Sequence, residues 1–300
     1  MSAFPSEYTY NYAAGPAVLP QAVHERFTAD LNAPRKIPLL ELGHRTPEFD
    51  YIVENSEYRL RELLNIPQDY AVLFLTGGAR SQYAAVSMNL NAMQHSADYF
   101  NTGYWSVCAI EEAKRYAPVS LVTNLTQSTP YRLPLPSDWK IDSDSAYCHY
   151  VANETLIGLE FSPDAVPQNL VADMTSNLLT QAIDVNRHCL IYAATQKNLG
   201  IAGLTIVIVA RDRLQKASQQ TPSVYNYTKQ EQASSRFSTP AILAWYVCHL
   251  VLEWVKEEGG VEEMHRRCVQ RSSKIYACIC LLYTSPSPRD RTRSRMPSSA

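Results

Sequence analysis

The sequence has no excess of charge of either sign. Its 300 residues include 27 Lys and Arg against 29 Asp and Glu, which gives a formal net charge of −2. A protein that binds nucleic acid or a membrane surface usually carries a clear basic excess, so this balance indicates neither partner. With 46% hydrophobic residues, the chain can bury a substantial core in one large or two medium domains.

Long apolar runs are also absent from the sequence. The N-terminus contains Pro5 and Glu7 and lacks the apolar stretch of a signal peptide. The longest helix-like apolar run, 241–255, includes His249 and Glu253 and is too short and too polar to span a bilayer. We therefore expect a soluble, cytoplasmic protein.

The cysteines lack the paired spacing of a zinc site. Cys278 and Cys280 are separated by one residue, and no His or second Cys pair accompanies them. The odd count of 7 cysteines in a large chain favours reduced, mostly buried thiols in a cytosolic protein. We expect no bound metal.

Short strand-like runs alternate with helical patterns along most of the chain. The predicted strands are 70–75, 97–101, 147–151, 170–172, 188–193 and 204–210, and the predicted helices include 47–64, about 79–90, 106–115 and 261–279. This alternation predicts an α/β fold with a mostly parallel central sheet flanked by helices. The run 204–210 is apolar on both faces, which is typical of a central strand. Thr239 and Pro240 should open a further long helix, because a hydroxyl can cap a helix and proline suits its first turn.

Lys197 follows the predicted strand 188–193 and precedes a polar turn that contains Gly200. Asp173 ends a second apolar run, and open α/β sheets place ligands at such strand ends. This pairing suggests pyridoxal 5′-phosphate (PLP) chemistry, in which the lysine forms a Schiff base and the acid pairs with the pyridinium nitrogen. A surface lysine and a turn-capping aspartate are the simpler alternatives. The flanking apolar strands argue against a surface lysine, because burial would lower its pKa toward the neutral amine that imine formation needs.

Two turns could bind a phosphate group. Residues 77–80, Gly-Gly-Ala-Arg, join a predicted strand to a predicted helix, where backbone N–H groups attract anions. Ser238 and Thr239 stand at a second helix start and add two hydroxyls. The alternative for residues 77–80 is an ordinary strand-to-helix turn, and the alternative for Ser238 and Thr239 is helix capping. For either motif taken alone, the alternative is the better interpretation.

Two further motifs could contact a ligand. Trp105 follows a predicted strand and could stack on a flat ring, although core packing is the more common use of such a residue. His44 and Arg45 could bind an anionic substrate, since the arginine fork donates two parallel hydrogen bonds to carboxylate or phosphate. A solvated basic turn is the alternative for this pair.

Taken in order, these motifs resemble the phosphoserine aminotransferase family, which belongs to the class V, fold-type I PLP enzymes. The resemblance covers about residues 10–279. It rests on the stretches 11–17 (NYAAGPA), 43–45 (GHR), 77–82 (GGARSQ), 103–105 (GYW), 153–155 (NET), 172–173 (AD), 194–200 (ATQKNLG) and 237–240 (FSTP).

The resemblance implies a role for each matching site residue. Lys197 would bind PLP covalently and move the proton during catalysis. The cofactor-binding residues would be Ala79 and Arg80 (phosphate), Trp105 (ring stacking), Thr155 and Gln196 (the O3′ side of the ring), Asp173 (ring nitrogen), and Ser238 and Thr239 (phosphate of the neighbouring subunit's cofactor). His44 and Arg45 would bind the distal anionic group of the substrate. The implied partner is therefore a second copy of the chain, in a homodimer with shared active sites.

The domain organisation follows from the same resemblance. We expect an N-terminal segment at 1–15, a large PLP-binding domain at 16–260 and the start of a truncated small domain at 261–279. Residues 280–300 are rich in Arg, Ser and Pro and should form a disordered, non-native tail, with a genuine basic tail as the alternative. The family continues into a longer small domain, with an arginine expected to bind the substrate α-carboxylate.

The implied activity is PLP-dependent transfer of an amino group from glutamate to 3-phosphohydroxypyruvate in serine biosynthesis. A related phosphorylated 2-oxo acid of pyridoxine synthesis is a second possible substrate in bacteria. Two alternatives stay open at this point. One is another class V PLP enzyme, such as a serine–glyoxylate aminotransferase or a cysteine desulfurase. The other is an inactive PLP-binding fragment, for which little or no transaminase activity is expected because the small domain is incomplete.

Overall fold

A computed structural model describes residues 13–90, 95–125, 135–160 and 169–284, with side chains up to residue 281. The expectations for residues 1–12, including the start of the motif at 11–17, lie outside the described residues. So does the tail from residue 285 onward.

A seven-stranded mixed sheet forms the centre of the molecule. In chain order its strands are β1 (Tyr70–Thr76), β2 (Ala97–Asn101), β3 (Val119–Asn124), β4 (Cys148–Val151), β7 (Leu170–Asp173), β8 (His188–Ala194) and β9 (Leu204–Ala210). Their spatial order is β1-β9-β8-β7-β4-β2-β3. The strands β3, β2, β4, β7 and β8 pair in parallel, whereas β9 runs antiparallel to both β8 and β1. The mostly parallel α/β prediction is confirmed, and the strand at 204–210 is interior as expected but runs in the opposite direction.

A short hairpin and seven α-helices complete the described fold. The hairpin joins β5 (Asn153–Glu154) to β6 (Leu159–Glu160). The helices are α1 (Gln21–Asn32), α2 (Pro47–Leu64), α3 (Ala79–Asn89), α4 (Tyr104–Ala113), α5 (Tyr227–Gln232), α6 (Ile242–Glu257) and α7 (Gly260–Thr284). None of the described helices is long and apolar enough to cross a membrane.

The helix α2 has the predicted bounds because its ends carry strong local signals. The Thr46 hydroxyl accepts a hydrogen bond from the Phe49 amide, and Pro47 occupies the first helical position. At the other end Asn65 adopts a left-handed conformation and stops the helix.

The predicted start of the long helix near Thr239 is wrong. The helix α6 begins at Ile242, with Ala241 at the N-cap position and no side-chain cap. The Thr239 side chain is exposed and stands outside the first turn, so its hydroxyl cannot reach the free N–H groups. The helix α7, Gly260–Thr284, also continues past residue 279, although the tail was expected to begin at residue 280.

Two apolar clusters pack on the two faces of the sheet. On one face, the Trp245 ring of α6 stacks on Phe74 of β1 at 4.6 Å between ring centroids and meets Phe49 of α2 edge-on at 5.4 Å. On the other face, α3 and α4 pack over a layer that includes Tyr99 and Tyr192. Both layers hold the strands of the sheet in place, and the strand ends carry the groups described below.

The α2–α6 layer can be tested through Leu60, which is 0% exposed. We expect Leu60→Ala to lower the free energy of unfolding by about 2–5 kcal/mol, because it removes buried methyl groups and leaves a cavity. Urea denaturation followed by circular dichroism measures this loss. Tyr58→Ala on the same helix, at a residue 63% exposed, is the matched control and should change stability by no more than about 0.5 kcal/mol. Equal losses for the two variants would contradict the packing described here.

Candidate active site

A cavity of about 280 Å³ lies where the carboxyl ends of β4, β7 and β8 meet the N-terminus of α3. This is the edge at which open α/β sheets bind ligands. Its walls are formed by Gly78, Ala79, Arg80, Tyr83, Trp105, Val151, Asn153, Thr155, Asp173, Thr175, Ser176, Gln196 and Lys197. The fold therefore brings Lys197 together with six of the predicted cofactor ligands: Ala79, Arg80, Trp105, Thr155, Asp173 and Gln196.

The Lys197 amine is held between two side chains of the cavity. Its Nζ donates a hydrogen bond of 2.7 Å to Thr155 Oγ1 and lies 5.9 Å from the centroid of the Trp105 ring. Burial lowers the pKa of Lys197, and attraction to the Asp173 and Glu154 carboxylates only partly opposes that shift. The amine is therefore moved toward the neutral form that attacks a carbonyl carbon.

The chain near its N-terminus covers the stem of this lysine. The Ala17 amide donates to the Gln196 carbonyl at 2.9 Å, which fixes the segment across the strand end. A Cβ added at Gly15 would lie 3.2 Å from Lys197 Cε, and the φ of Gly15 is +149°. Glycine is therefore required here both for its backbone conformation and for the close approach to the lysine.

Asp173 ends β7 with its carboxyl group almost fully buried. The Thr175 amide donates to Oδ1 at 3.0 Å, while Oδ2 receives a long 3.4 Å hydrogen bond from the Tyr83 hydroxyl. Burial raises the pKa of Asp173, and the hydrogen bonds from Thr175 and the charge of Lys197 oppose this only in part. A cationic N–H group placed in the cavity would give this carboxylate the partner that the protein does not fully supply.

The turn before α3 presents backbone N–H groups to the cavity. Gly78 is the N-cap of α3, and no side chain among the described residues caps it. At Gly77 the φ is +121°, and an added Cβ would lie 2.8 Å from Ser81 Oγ, so glycine is needed for this turn. The Arg80 guanidinium lies beside it, held by the Tyr104 hydroxyl at 3.2 Å and stacked over Trp105 at 5.9 Å. An uncapped helix N-terminus next to a fixed arginine suits a phosphate group.

The remaining predicted ligands lie outside this cavity. Arg45, Ser238 and Thr239 are exposed, and His44 is half-buried. Arg236 brings the two motifs together, because its Nη1 donates to the His44 carbonyl at 3.4 Å and also pairs with Asp50. The roles of these residues in binding cofactor and substrate stay predictions.

The cavity residues that were not predicted as ligands from the sequence include Tyr83, Asn153 and Ser176. Asn153 donates a hydrogen bond of 3.0 Å to Ser176. Asn153 belongs to the 153–155 stretch, and Ser176 follows Asp173 by three residues. Tyr83 gave no local signal, because its contact with Asp173 depends on how α3 packs over β7.

The cavity fits PLP on grounds of its own chemistry. It combines a lysine amine placed over an aromatic face, a buried carboxylate short of a cationic partner, and an open helix N-terminus with an arginine. In addition, the Trp105 indole Nε1 is buried without a hydrogen-bond partner among the described residues. A flat ring that carries a carbonyl, a protonatable nitrogen and a phosphate would satisfy the first three features together.

Comparison with known proteins agrees with this chemistry. The family model described as Aminotransferase class-V matches residues 9–291. A phosphoserine aminotransferase of Pseudomonas paraeruginosa is 41% identical to 97% of this chain, which spans 83% of that relative's length.

Two solved structures share the fold at 33% sequence identity. One, a PLP-bound phosphoserine aminotransferase from Trichomonas vaginalis, has a TM-score of 0.84, with 90% of this chain and 81% of that chain covered. The other, a phosphoserine aminotransferase from Bacillus circulans subsp. alkalophilus, has a TM-score of 0.85, with coverage of 91% and 76%. These likenesses, together with the donor set of the cavity, establish PLP as the cofactor.

The raised pKa of Asp173 makes a prediction about stability in the cofactor-free protein. Above the ordinary carboxyl value of 3.8, the unfolded chain ionises this group while the native state still holds the proton, so stability falls as pH rises through the raised pKa. Asp173→Asn removes this cost. We expect its melting temperature to exceed that of the unaltered protein near neutral pH, and the difference to shrink as pH falls toward about 4.

Differential scanning calorimetry from about pH 4 to pH 8 measures this difference. Asp212→Asn is the matched control, since its carboxylate is 72% exposed. A melting-temperature difference for Asp173→Asn that does not vary with pH would contradict the assignment of the burial cost to this carboxylate.

Proposed function

Because the chain belongs to the class V aminotransferase family, we propose that it is a phosphoserine aminotransferase. The reaction is transfer of the amino group between glutamate and 3-phosphohydroxypyruvate, which gives O-phosphoserine and 2-oxoglutarate. The observation that carries the proposal is the placement of the Lys197 amine over Trp105, in one cavity with Asp173 and the open N-terminus of α3. The identity of 41% with a phosphoserine aminotransferase supports the choice of this activity within the family.

PLP, when bound, supplies a ring that accepts the electrons released when the substrate α-carbon loses its proton. In this proposal Asp173 would pair with the ring nitrogen and favour its protonated form. Trp105 would stack on the ring, and Thr155 and Gln196 would hold its O3′ side. The Ala79 amide and the Arg80 guanidinium would hold the phosphate at the start of α3, where the helix dipole adds to the attraction.

Lys197 has two tasks in the same proposal. Its Nζ would hold the cofactor covalently, and the freed amine would accept the proton from the substrate α-carbon. Thr155 Oγ1, which lies 2.7 Å from Nζ, can hold the freed amine in place beside the substrate. The lowered pKa of Lys197 keeps a fraction of the amine neutral and able to accept that proton.

We also propose that two copies of the chain complete the site. His44 and Arg45 would bind the distal group of the substrate, a phosphate in one half-reaction and a carboxylate in the other. Ser238 and Thr239 would reach the phosphate of the other subunit's cofactor. Their position outside their own chain's cavity and the exposure of Arg45, Ser238 and Thr239 support a role across a dimer interface.

The setting of this activity is serine biosynthesis in the cytoplasm. A phosphorylated 2-oxo acid of pyridoxine synthesis is a further substrate worth assay, because the same phosphate-binding residues would recognise it. A serine–glyoxylate aminotransferase, a cysteine desulfurase and an inactive fragment are not favoured by the relatives found.

The attachment site is tested by reduction of the PLP complex with borohydride followed by peptide mapping. We expect the reduced cofactor on Lys197 alone. Lys197→Arg should lower turnover by about 10²–10⁴-fold, the range for loss of a general base, while Lys256→Arg at an exposed lysine should leave it unchanged. Reduced cofactor on another lysine would refute the site assignment.

The substrate class is tested by glutamate-dependent turnover with matched acceptors. We expect 3-phosphohydroxypyruvate to be preferred over hydroxypyruvate and glyoxylate by at least about 10²-fold in kcat/KM, because loss of the phosphate leaves charged donors unpaired. Equal use of the unphosphorylated acids would point to another class V aminotransferase. Cofactor binding without turnover of any acceptor would instead support the fragment alternative.

Shared sites are tested by mixing two defective subunits. In a hybrid of Lys197→Ala with the double variant Ser238→Ala/Thr239→Ala, one site contains both defects and the other contains neither. We expect the isolated hybrid to have about half of the normal activity, and the unsorted coexpressed mixture, in which about half of the dimers are hybrids, to have about a quarter. Sites confined to single subunits would show no such recovery.

A further inference from the structure

We propose that Glu154 is a positioning residue, whose buried carboxylate caps α4 from the neighbouring hairpin and so fixes the Trp105 ring over the Lys197 amine. The inference rests on the proposed binding of PLP in this cavity. It concerns how the site is held in shape, since Glu154 does not line the cavity itself.

The carboxylate of Glu154 is fully buried and accepts hydrogen bonds from the first turn of α4. The Trp105 amide donates to Oε2 at 3.0 Å, and the Ser106 amide donates to Oε1 at 2.9 Å. The Thr102 hydroxyl adds a longer bond of 3.5 Å to Oε1. Glu154 therefore binds the backbone of the residue whose side chain faces the lysine.

The helix needs this outside cap because its own N-cap has no side chain. That position is Gly103, and a usual N-cap side chain would accept from the second or third helical amide, here Trp105 and Ser106. The Ser106 hydroxyl is already engaged, since it accepts from the Gly103 amide at 2.8 Å and donates to the Gly103 carbonyl at 2.9 Å. Without Glu154, the Trp105 and Ser106 N–H groups in the first turn of α4 would have no acceptor in these contacts.

Position 103 needs a glycine because a side chain there would collide with the Glu154 carboxylate, and backbone strain is not the reason. Its φ of 170° is extended backbone that any residue adopts. A Cβ built there, however, would lie 2.7 Å from Glu154 Cδ and 2.8 Å from Oε2, which is closer than atoms can approach. Gly103 therefore leaves the space that Glu154 occupies.

The contact between Glu154 and α4 links the two elements that hold groups beside the Lys197 amine. Glu154 belongs to β5, and the next residue, Thr155, accepts the hydrogen bond from Lys197 Nζ at 2.7 Å. Trp105 lies on the other element, with its ring 5.9 Å from the same Nζ. By tying the backbone of Trp105 to β5, the carboxylate sets the distance between the stacking ring and the residue that holds the amine.

Three variants test the inference. Glu154→Gln keeps the size of the side chain but replaces one acceptor oxygen with an NH₂ group that faces a backbone N–H. Gly103→Ala pushes the carboxylate away while leaving its charge. Glu160→Gln is the matched control, because Glu160 lies on the paired strand β6 and accepts from Asn177 instead of from α4.

The readouts are the Kd for PLP of the cofactor-free protein and the visible circular dichroism of the bound cofactor, normalised to the amount bound. The melting temperature is recorded for each protein. We expect Glu154→Gln and Gly103→Ala each to weaken PLP binding about tenfold and to reduce the dichroic band, because a shifted Trp105 no longer holds the ring in one orientation. Glu160→Gln should match the unaltered protein.

A lower melting temperature in both variants with an unchanged PLP Kd and dichroic band would overturn the inference, since the contact would then be structural only. If Glu154→Gln does not fold, Gly103→Ala decides the question alone by the same readouts. Measurements on the unaltered protein distinguish a failure of the proposed function from a failure of this inference. Failure of that protein to bind PLP would overturn the proposed function and this inference with it, whereas normal binding by all four proteins would overturn the inference alone.

Discussion

The burial of two ionisable groups, Lys197 and Asp173, in one small cavity is the constraint on which the rest of the site depends. Burial moves the pKa of the lysine down and that of the aspartate up, so each group is pushed toward its neutral form. Such an arrangement costs stability and serves no purpose in a folded chain alone. A cofactor with a reactive carbonyl and a protonatable nitrogen makes use of both groups, which is why the cavity is best understood as a place for PLP.

The sheet is what makes this arrangement possible. The parallel strands β7 and β8 end side by side, so Asp173 stands at the end of one strand and Lys197 just beyond the end of the other. The helices α3 and α4 then bring their N-termini to the same edge, one uncapped toward the cavity and the other capped by Glu154. The fold thus brings helix N-termini and buried side chains to one edge of the sheet.

Sequence patterns predicted those parts of the structure that local interactions decide. The predicted bounds of α2 follow from its apolar spacing, and in the structure Thr46, Pro47 and Asn65 fix these same ends. The apolar runs that lead to Asp173 and Lys197 likewise predicted the strands β7 and β8. The helix α1 was missed because its sequence is mostly polar and buries only Val23. The start of α6 was predicted too early in the chain. Thr239 and Pro240 suit a helix start, but these residue types also occur where no helix begins.

The contacts that decide the site's shape join residues far apart in the chain. The bonds from Glu154 to α4 and from Tyr83 to Asp173 arise from packing between elements, and no local pattern predicts them. The order of the motifs indicated which side chains belong to the site. The distances between those side chains depend on the three-dimensional fold.

In the proposed function, this chain carries an amino group between glutamate and a phosphorylated 2-oxo acid by way of PLP. Single-turnover absorbance of the PLP-loaded protein follows the two halves of this transfer separately. We expect glutamate alone to convert the lysine-bound cofactor band to that of the amine form, and 3-phosphohydroxypyruvate to restore the first band. A spectrum that glutamate leaves unchanged, in protein shown to hold PLP on Lys197, would contradict the proposed function.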